Sequence, residues 1–431
     1  LEHHASDAIK NLYLPKLISG EWCGTMNLTE PQAGSDVGAL RSKAEPIGDG
    51  SYAITGQKIY ISWADNDFSA NVCHLVLARL PDGVAGTKGI SLFIVPKLIP
   101  NTDGTLGKHN NLSIVSLEHK LGLHGSPTAV MEYCGAQGWL VGPKNGGMAA
   151  MFTMMNNARL GVGVQGIGAA EGAYQHALAF AMNRKQGKTS GSGSIIEHAD
   201  VRRMLASMKA DIFAARSIAL MNAVAIDMAT ATGDATWRAR AAFLTPICKA
   251  FGTDVGIEVA STGIQVHGGM GFVEEAGAAQ YYRDVRVTAI YEGTNGIQAM
   301  DLVARKLMDG GEAAFAILDE IEAGADAAKI TQPDLASTVW SAAASLREAT
   351  EWLVDQDLTD RFAGAVPYLR AFARVLGGHA HLAAATSGDA ARARLAAFYI
   401  NRLLPEHTSL LAHTREGASD LMAITINDLG T

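Results

Sequence analysis

The feature that most constrains this chain is a change of pattern near residue 145. From about residue 25 to 142, short runs rich in β-branched and aromatic residues ("SYAITGQKIYIS", "CHLVLARL", "GISLFIVPK", "AVMEYCGAQGWLVG") alternate with Gly, Pro, Asn and Asp clusters such as "LPDGVAGTKG". That spacing predicts a small antiparallel sheet or barrel. From about residue 146 the β-breakers thin out and apolar residues recur every three to four positions, the period of a helix. Helices are expected through "GGMAAMFTMMNNARLGVGVQGIGAAEGAYQHALAFAMNRK", from Asp200, over about 236–262, and after Glu292. The predicted organisation is a helical segment at 1–24, a β domain at 25–142, a helical bundle at 146–310 and an appended Ala- and Leu-rich helical region at 311–431. This is an α+β order, without the β–α alternation of a doubly wound sheet.

Composition removes several functions. With 431 residues there is room for two or three domains, and a net charge of -8 argues against nucleic acid as a partner. Cys23, Cys73, Cys134 and Cys248 are far apart and form no CxxC pair, so no zinc ribbon or disulfide framework is signalled. No metal site is expected, and a reducing cytoplasm is the simplest setting. No apolar run of bilayer length and no signal peptide are expected. The chain begins abruptly at "LEHHASDAIK", already in helical pattern.

The local motifs carry competing readings. "GVGVQG" (161–166) matches G-x-G-x-x-G but follows a helical stretch, where a dinucleotide turn needs a strand. Helix-packing glycines fit better. "MNLTEPQAGSDVGAL" (26–40) is a glycine-punctuated segment whose Thr29 and Ser35 hydroxyls can donate to a ligand or close an ordinary turn; both readings stand. "GIQVHGGMGFVEE" (263–275) offers Gly268 and Gly269 for backbone approach to a pyrophosphate, or simply a helix end; His267 reads as a packed histidine. In "AIYEGTNGIQ", Glu292 precedes a helix that Thr294 or Asn295 could cap. Its apolar collar of Ile290 and Tyr291 suits a carboxylate of raised pKa, a general base.

Taken together, "MNLTEPQAGSD", "GQKIYIS", "NRKQGK", "IQVHGGMGF" and "YRDVRVTAIYEGTNGIQ" resemble the acyl-CoA dehydrogenase family, collinearly over about residues 10–308. The resemblance implies an N-terminal helical domain, a middle β domain and a C-terminal four-helix bundle. It also implies FAD, an acyl-CoA substrate, a homo-oligomer (dimer or tetramer) and electron-transfer flavoprotein as acceptor. Glu292 matches the family's catalytic base. Met26, Leu28, Thr29, Gly34 and Ser35 match the segment lining the flavin, with Ser35 also near the CoA chain. Tyr60, Ile61 and Ser62 match a flavin-flanking triplet, and Arg184 and Gln186 a stretch reaching the partner subunit's FAD. Gln265, Gly268 and Gly269, with Thr294, Asn295 and Gly296, complete the dinucleotide contacts. Asn156 and Arg159 match the CoA-facing stretch and Gly293 the position beside the thioester.

Three substitutions depart from the usual pattern: Met26 for an aromatic, Tyr60 for tryptophan and Gln186 for threonine. Each keeps the chemistry. The front of the chain corresponds only to the end of the N-terminal helical domain, which normally helps to wall the acyl pocket. The appended region and phrases such as "EHKLGLHGSPT" and "FTMMNNARLGVGVQG" resemble the longer subfamily of 3-methylmercaptopropionyl-CoA dehydrogenases. That implies this thioester, or a medium- or long-chain acyl-CoA, as substrate. The alternatives are an acyl-CoA oxidase, with the same base but oxygen as acceptor, and a catalytically silent binding or scaffold relative.

Overall fold

The sheet expected from residue 25 begins earlier: Trp22 opens the first strand and is almost wholly buried. The structure, a computed structural model, describes residues 1–430; Thr431, the last residue of the expected appended region, lies outside them. The chain forms two units, Leu1–Asn156 and the remainder from Asn157.

The first unit starts with helix α1 (Asp7–Ser19), capped by the Ser6 side chain and closed by Gly20 at φ 77°. Its strands are β1 (Trp22–Asn27), β2 (Lys43–Pro46), β3 (Tyr52–Ser62), β4 (Asn71–Arg79), β5 (Ile90–Pro96), β6 (Leu98–Pro100), β7 (Leu106–His109), β8 (Leu112–Leu117) and β9 (Thr128–Val141). The main sheet runs β1-β4-β2-β3-β9-β5, with β8 on β9, and a β4–β5 pairing closes the path into a barrel-like loop. Antiparallel pairing dominates, as the short runs and tight turns predict, but β4 pairs in parallel with both β1 and β2. The purely antiparallel expectation is corrected there. Those pairs join strands distant in sequence, which turn signals cannot reveal. Ile54, Val76, Phe93, Met131 and Tyr133 fill the barrel interior.

Helix α2 (Gly147–Asn183) leads into the second unit, followed by α3 (Ala199–Thr232), α4 (Ala235–His267), α5 (Ala278–Val285) and α6 (Asn295–Arg305). The appended region supplies α7 (Glu312–Ala328), α8 (Pro333–Asp355), α9 (Leu358–Ala363), α10 (Ala365–Ala385), α11 (Ala390–Arg402), α12 (Glu406–Arg415) and the short α13 (Ser419–Ala423) and α14 (Ile426–Leu429). One buried cluster runs from Ala170 through Phe251 and Leu302 to Phe372 and Ile400, so bundle and appended helices share a core. A charge network ties them as well. Arg374 of α10 pairs with Asp211 of α3 and Glu406 of α12, and Arg370 pairs with Glu258 of α4 at 2.6 Å.

Two sequence expectations resolve inside this unit. "GVGVQG" lies within α2, and a Cβ on Gly163 would stand 2.8 Å from the Cys248 carbonyl oxygen of α4. The glycines let two helices touch, and no strand precedes them. The expectation of no bilayer-length apolar run is corrected by α3, which is long and apolar enough by length and composition to cross a membrane. Its Leu205, Ile212, Ile218 and Ala225 are buried in the helical unit, while Leu220 and Val224 are exposed.

Candidate active site

In the first unit the structure joins two of the sequence motifs. Lys58, on the buried face of β3, donates through Nζ to Glu30 at 2.8 Å and to the Leu28 carbonyl at 3.0 Å. The Ile59 amide donates to the Thr29 carbonyl. Glu30 also accepts from the Arg41 and Ser42 amides. Burial pushes the Glu30 carboxyl up, but the Lys58 ammonium and these donors outweigh it and bring it down to about 2. The lock holds the segment 26–35 against β3. Met26, Leu28 and Thr29 are half-buried there, whereas Gly34 and Ser35 are exposed. A Cβ on Gly34 would meet nothing within 4 Å.

The register of β3 against β9 slips between Lys58 and Ile61, and Tyr60 sits at that slip with φ 62°. A bulge of this kind re-aims a side chain, and Tyr60 is 62% exposed. Ser62 is exposed too. Ile61 turns the other way into the barrel core, so only its backbone is left for a ligand.

In the second unit Glu292 lies in a turn before α6. Thr294 is the helix cap, accepting from the Ile297 amide at 3.2 Å, so Glu292 is not needed for capping. Glu292 has φ 54° and Gly293 φ 82°, two successive left-handed residues. For a non-glycine residue that conformation costs about 1–2 kcal/mol, so the surrounding contacts must impose it. Lys249 of α4 does so from below: its Nζ donates to the Gly293 carbonyl and to Asn295 Oδ1, each at 2.9 Å. Gln298 Nε2 reaches the carbonyls of Glu292 and Gly293 at 3.5 and 3.4 Å. The Asn295 amide donates to Thr253 Oγ1 at 2.9 Å and Asp254 Oδ1 at 2.7 Å, so its side chain is committed to α4.

Burial raises the Glu292 carboxyl above its usual range, and the positive charges of Arg159 and Lys249 partly offset it. Arg159 of α2 is buried and pairs with Asp301 of α6 at 3.6 Å. A Cβ on Gly293 would lie 2.6 Å from Gln298 Nε2 and 3.7 Å from an Arg159 nitrogen, which shows how closely these groups converge. Tyr291 donates to Gln165 of α2. Among the described residues nothing hydrogen-bonds the Glu292 carboxylate, and no carbonyl accepts its backbone N–H.

The other expected positions fall at exposed ends of elements. Asn156 is exposed on α2, Arg184 and Gln186 in the loop beyond it, and Gln265, Gly268 and Gly269 where α4 ends. Gly268 and Gly269 have open space where a Cβ would stand, while Gly296 faces the Thr294 hydroxyl at 3.9 Å. His267 is packed as expected, donating through Nδ1 to the Gly263 carbonyl at 2.7 Å with its ring against Phe180. The sequence reading missed Lys58, Lys249, Gln298 and Asp301. A lone lysine within an otherwise apolar run, as in "TPICKAFG", is the signal that could have found Lys249.

Three family profiles match the chain: "Acyl-CoA dehydrogenase, middle domain" over residues 25–134, "Acyl-CoA dehydrogenase, C-terminal domain" over 145–308, and "Acetyl-CoA dehydrogenase C-terminal like" over 317–425. An acyl-CoA dehydrogenase of Bacillus subtilis is 33% identical over 305 residues, covering 70% of this chain and 72% of the relative. The chain belongs to the acyl-CoA dehydrogenase family. It is 48% identical over 381 residues to 3-methylmercaptopropionyl-CoA dehydrogenase of Ruegeria pomeroyi, covering 84% of this chain but only 64% of that protein's length. In fold it is similar to an acyl-CoA dehydrogenase of Bacillus anthracis solved with FAD, at a TM-score of 0.78 and 21% identity, covering 98% of this chain and 73% of that one.

Proposed function

We propose that this chain carries the α,β-desaturation centre of an FAD-dependent acyl-CoA dehydrogenase, with 3-methylmercaptopropionyl-CoA as its substrate. The observation that carries the reading is Glu292, whose half-buried carboxylate is held in a strained turn and meets no hydrogen-bond partner among the described residues. The 48% identity to a dehydrogenase of that thioester supports the substrate.

The residues present fit a flavin dinucleotide. Gly34, Gly268 and Gly269 offer open backbone, and Tyr60 and Ser62 present an exposed ring and hydroxyl. Arg184 and Gln186 are exposed and free to serve a second copy of the chain in a homo-oligomer. Thr29, Ser35 and Gln265 supply further polar contacts, while Met26, Leu28 and the backbone of Ile61 line the ring. Thr294, Asn295 and Gly296 approach the dinucleotide through the first turn of α6. When bound, the flavin accepts the β-hydride of the acyl chain.

The protein's part is proton removal and positioning. Glu292 takes the α-proton of the thioester, and its raised pKa makes it the stronger base. Its open backbone N–H is a donor for the thioester oxygen as enolate charge develops. Gly293 leaves room for the thioester, and Asn156 and Arg159 meet the CoA moiety. Electron-transfer flavoprotein is the proposed acceptor. Four free cysteines suit a cytoplasmic setting.

The test is anaerobic mixing of the flavin-loaded, full-length protein with a panel of acyl-CoAs that includes 3-methylmercaptopropionyl-CoA. Bleaching of the flavin fastest by that thioester supports the reading; no bleaching by any acyl-CoA would leave a silent relative. Rapid peroxide release on admitting air would make it an oxidase.

A further inference from the structure

We propose that Lys249 is the positioning residue of the base: it anchors the left-handed turn beneath Glu292 and supplies the buried positive charge that the carboxylate and the developing enolate face. The inference rests on the reading of Glu292 as the base.

Lys249 is completely buried in α4, yet no carboxylate lies within ion-pair distance of it among the described residues. Its acceptors are neutral, the Gly293 carbonyl and the Asn295 amide oxygen. A buried ammonium without a direct counter-ion is costly: burial, which Asp254 and Glu292 offset only in part and Arg159 reinforces, brings Lys249 down to about 8. A folding role would be met more cheaply by a neutral donor or an apolar residue. What a neutral side chain cannot supply is a fixed positive charge beside the place where negative charge comes and goes. The hydrogen bonds fix that place. The Gly293 carbonyl adjoins the base in sequence, and Asn295 is itself held by Thr253 and Asp254 on the next turn of α4. The ammonium, the turn and the start of α6 therefore form one rigid unit.

The charges around it are few. Arg159 comes from α2, Asp254 from α4 itself, Asp301 and Arg305 from α6, and Glu292 from the turn. Arg159 is engaged with Asp301. Lys249 is thus a cation beside the base that, among the described residues, no carboxylate meets in a direct ion pair, Asp254 acting on it only from a distance.

Two variants test this in the flavin-loaded, full-length protein. Lys249→Met removes charge and hydrogen bonds at similar volume. Lys249→Gln removes the charge and keeps an amide donor for the Gly293 carbonyl. Losing the charge raises the pKa of the base, so the acid limb of the rate of flavin bleaching against pH should move to higher pH in both variants. At neutral pH the rate should fall at least about tenfold in Lys249→Met and less in Lys249→Gln, with flavin content unchanged. A merely structural role would lower the rate equally at every pH. An unmoved acid limb overturns the proposal; if Lys249→Met does not fold, Lys249→Gln decides alone. A turnover-competent Glu292→Gln would instead sink the reading of the base. An inactive Glu292→Gln beside an unshifted Lys249 variant would sink only the role of Lys249.

Discussion

Each unit of this protein buries one lysine beside one glutamate, and the two pairs are built for opposite ends. In the first, Lys58 and Glu30 meet at 2.8 Å, and the carboxylate collects two backbone amides as well. Glu30 is driven down to about 2 and is spent on structure, pinning one motif to the next strand. In the second, Lys249 bonds to the backbone beside Glu292 and not to its carboxylate. Burial then dominates and the Glu292 carboxyl rises. The same two residue types give a clamped carboxylate of low pKa when bonded directly, and a carboxyl of raised pKa when the lysine is held one carbonyl away.

Exchanging each carboxylate for its amide should break the comparison most sharply. Glu292→Gln should lower turnover by about 10²–10⁴-fold, the usual worth of a general base. Glu30→Gln, measured per folded, flavin-loaded molecule, should stay within about tenfold of the parent. Stability should show the reverse order. Lys58→Met strands a buried carboxylate and should cost about 3–5 kcal/mol in urea unfolding, much of it recovered by adding Glu30→Gln. Gly163→Ala, which pushes a Cβ toward the Cys248 carbonyl, should cost about 1–3 kcal/mol yet leave flavin binding in the folded fraction intact. A dinucleotide-turn glycine would instead lose the flavin.

The smallest effects concern pH. Glu30 is lowered on folding from 4.5 to about 2, so its stabilisation is complete above pH 4.5 and is lost as pH falls through that window. Glu292 is raised, so the folded state holds its proton more tightly and stability declines as pH climbs through the ordinary carboxylate range. Glu30→Gln should flatten the acid limb of a thermal melting profile. Glu292→Gln should slightly raise the melting temperature at neutral pH, a gain in stability at the expense of function.

The sequence made the order of the two patterns plain, because strand and helix periods differ and each runs over more than a hundred residues. Glu292 was legible because an acidic residue among Ile290, Tyr291 and Gly293 is an unusual neighbourhood. Trp22 falls within the helical segment expected over 1–24, because its strand owes its existence to β4, some fifty residues on. The lone lysine in "ICKAFG" marks Lys249 as unusual but not its partners, because its acceptors at Gly293 and Asn295 lie more than forty residues away. Ile61 matched the flavin-flanking triplet, but the bulge at Tyr60 sends its side chain into the core, a switch of face that one slipped register produces.

The central claim is that Glu292 removes the α-proton. Its most direct test is a single turnover under anaerobic conditions, following flavin absorbance after mixing the FAD-loaded, full-length protein with 3-methylmercaptopropionyl-CoA. The account predicts rapid bleaching in the parent, and in Glu292→Gln a flavin that stays bound and oxidised. Equal bleaching rates in the two would contradict it.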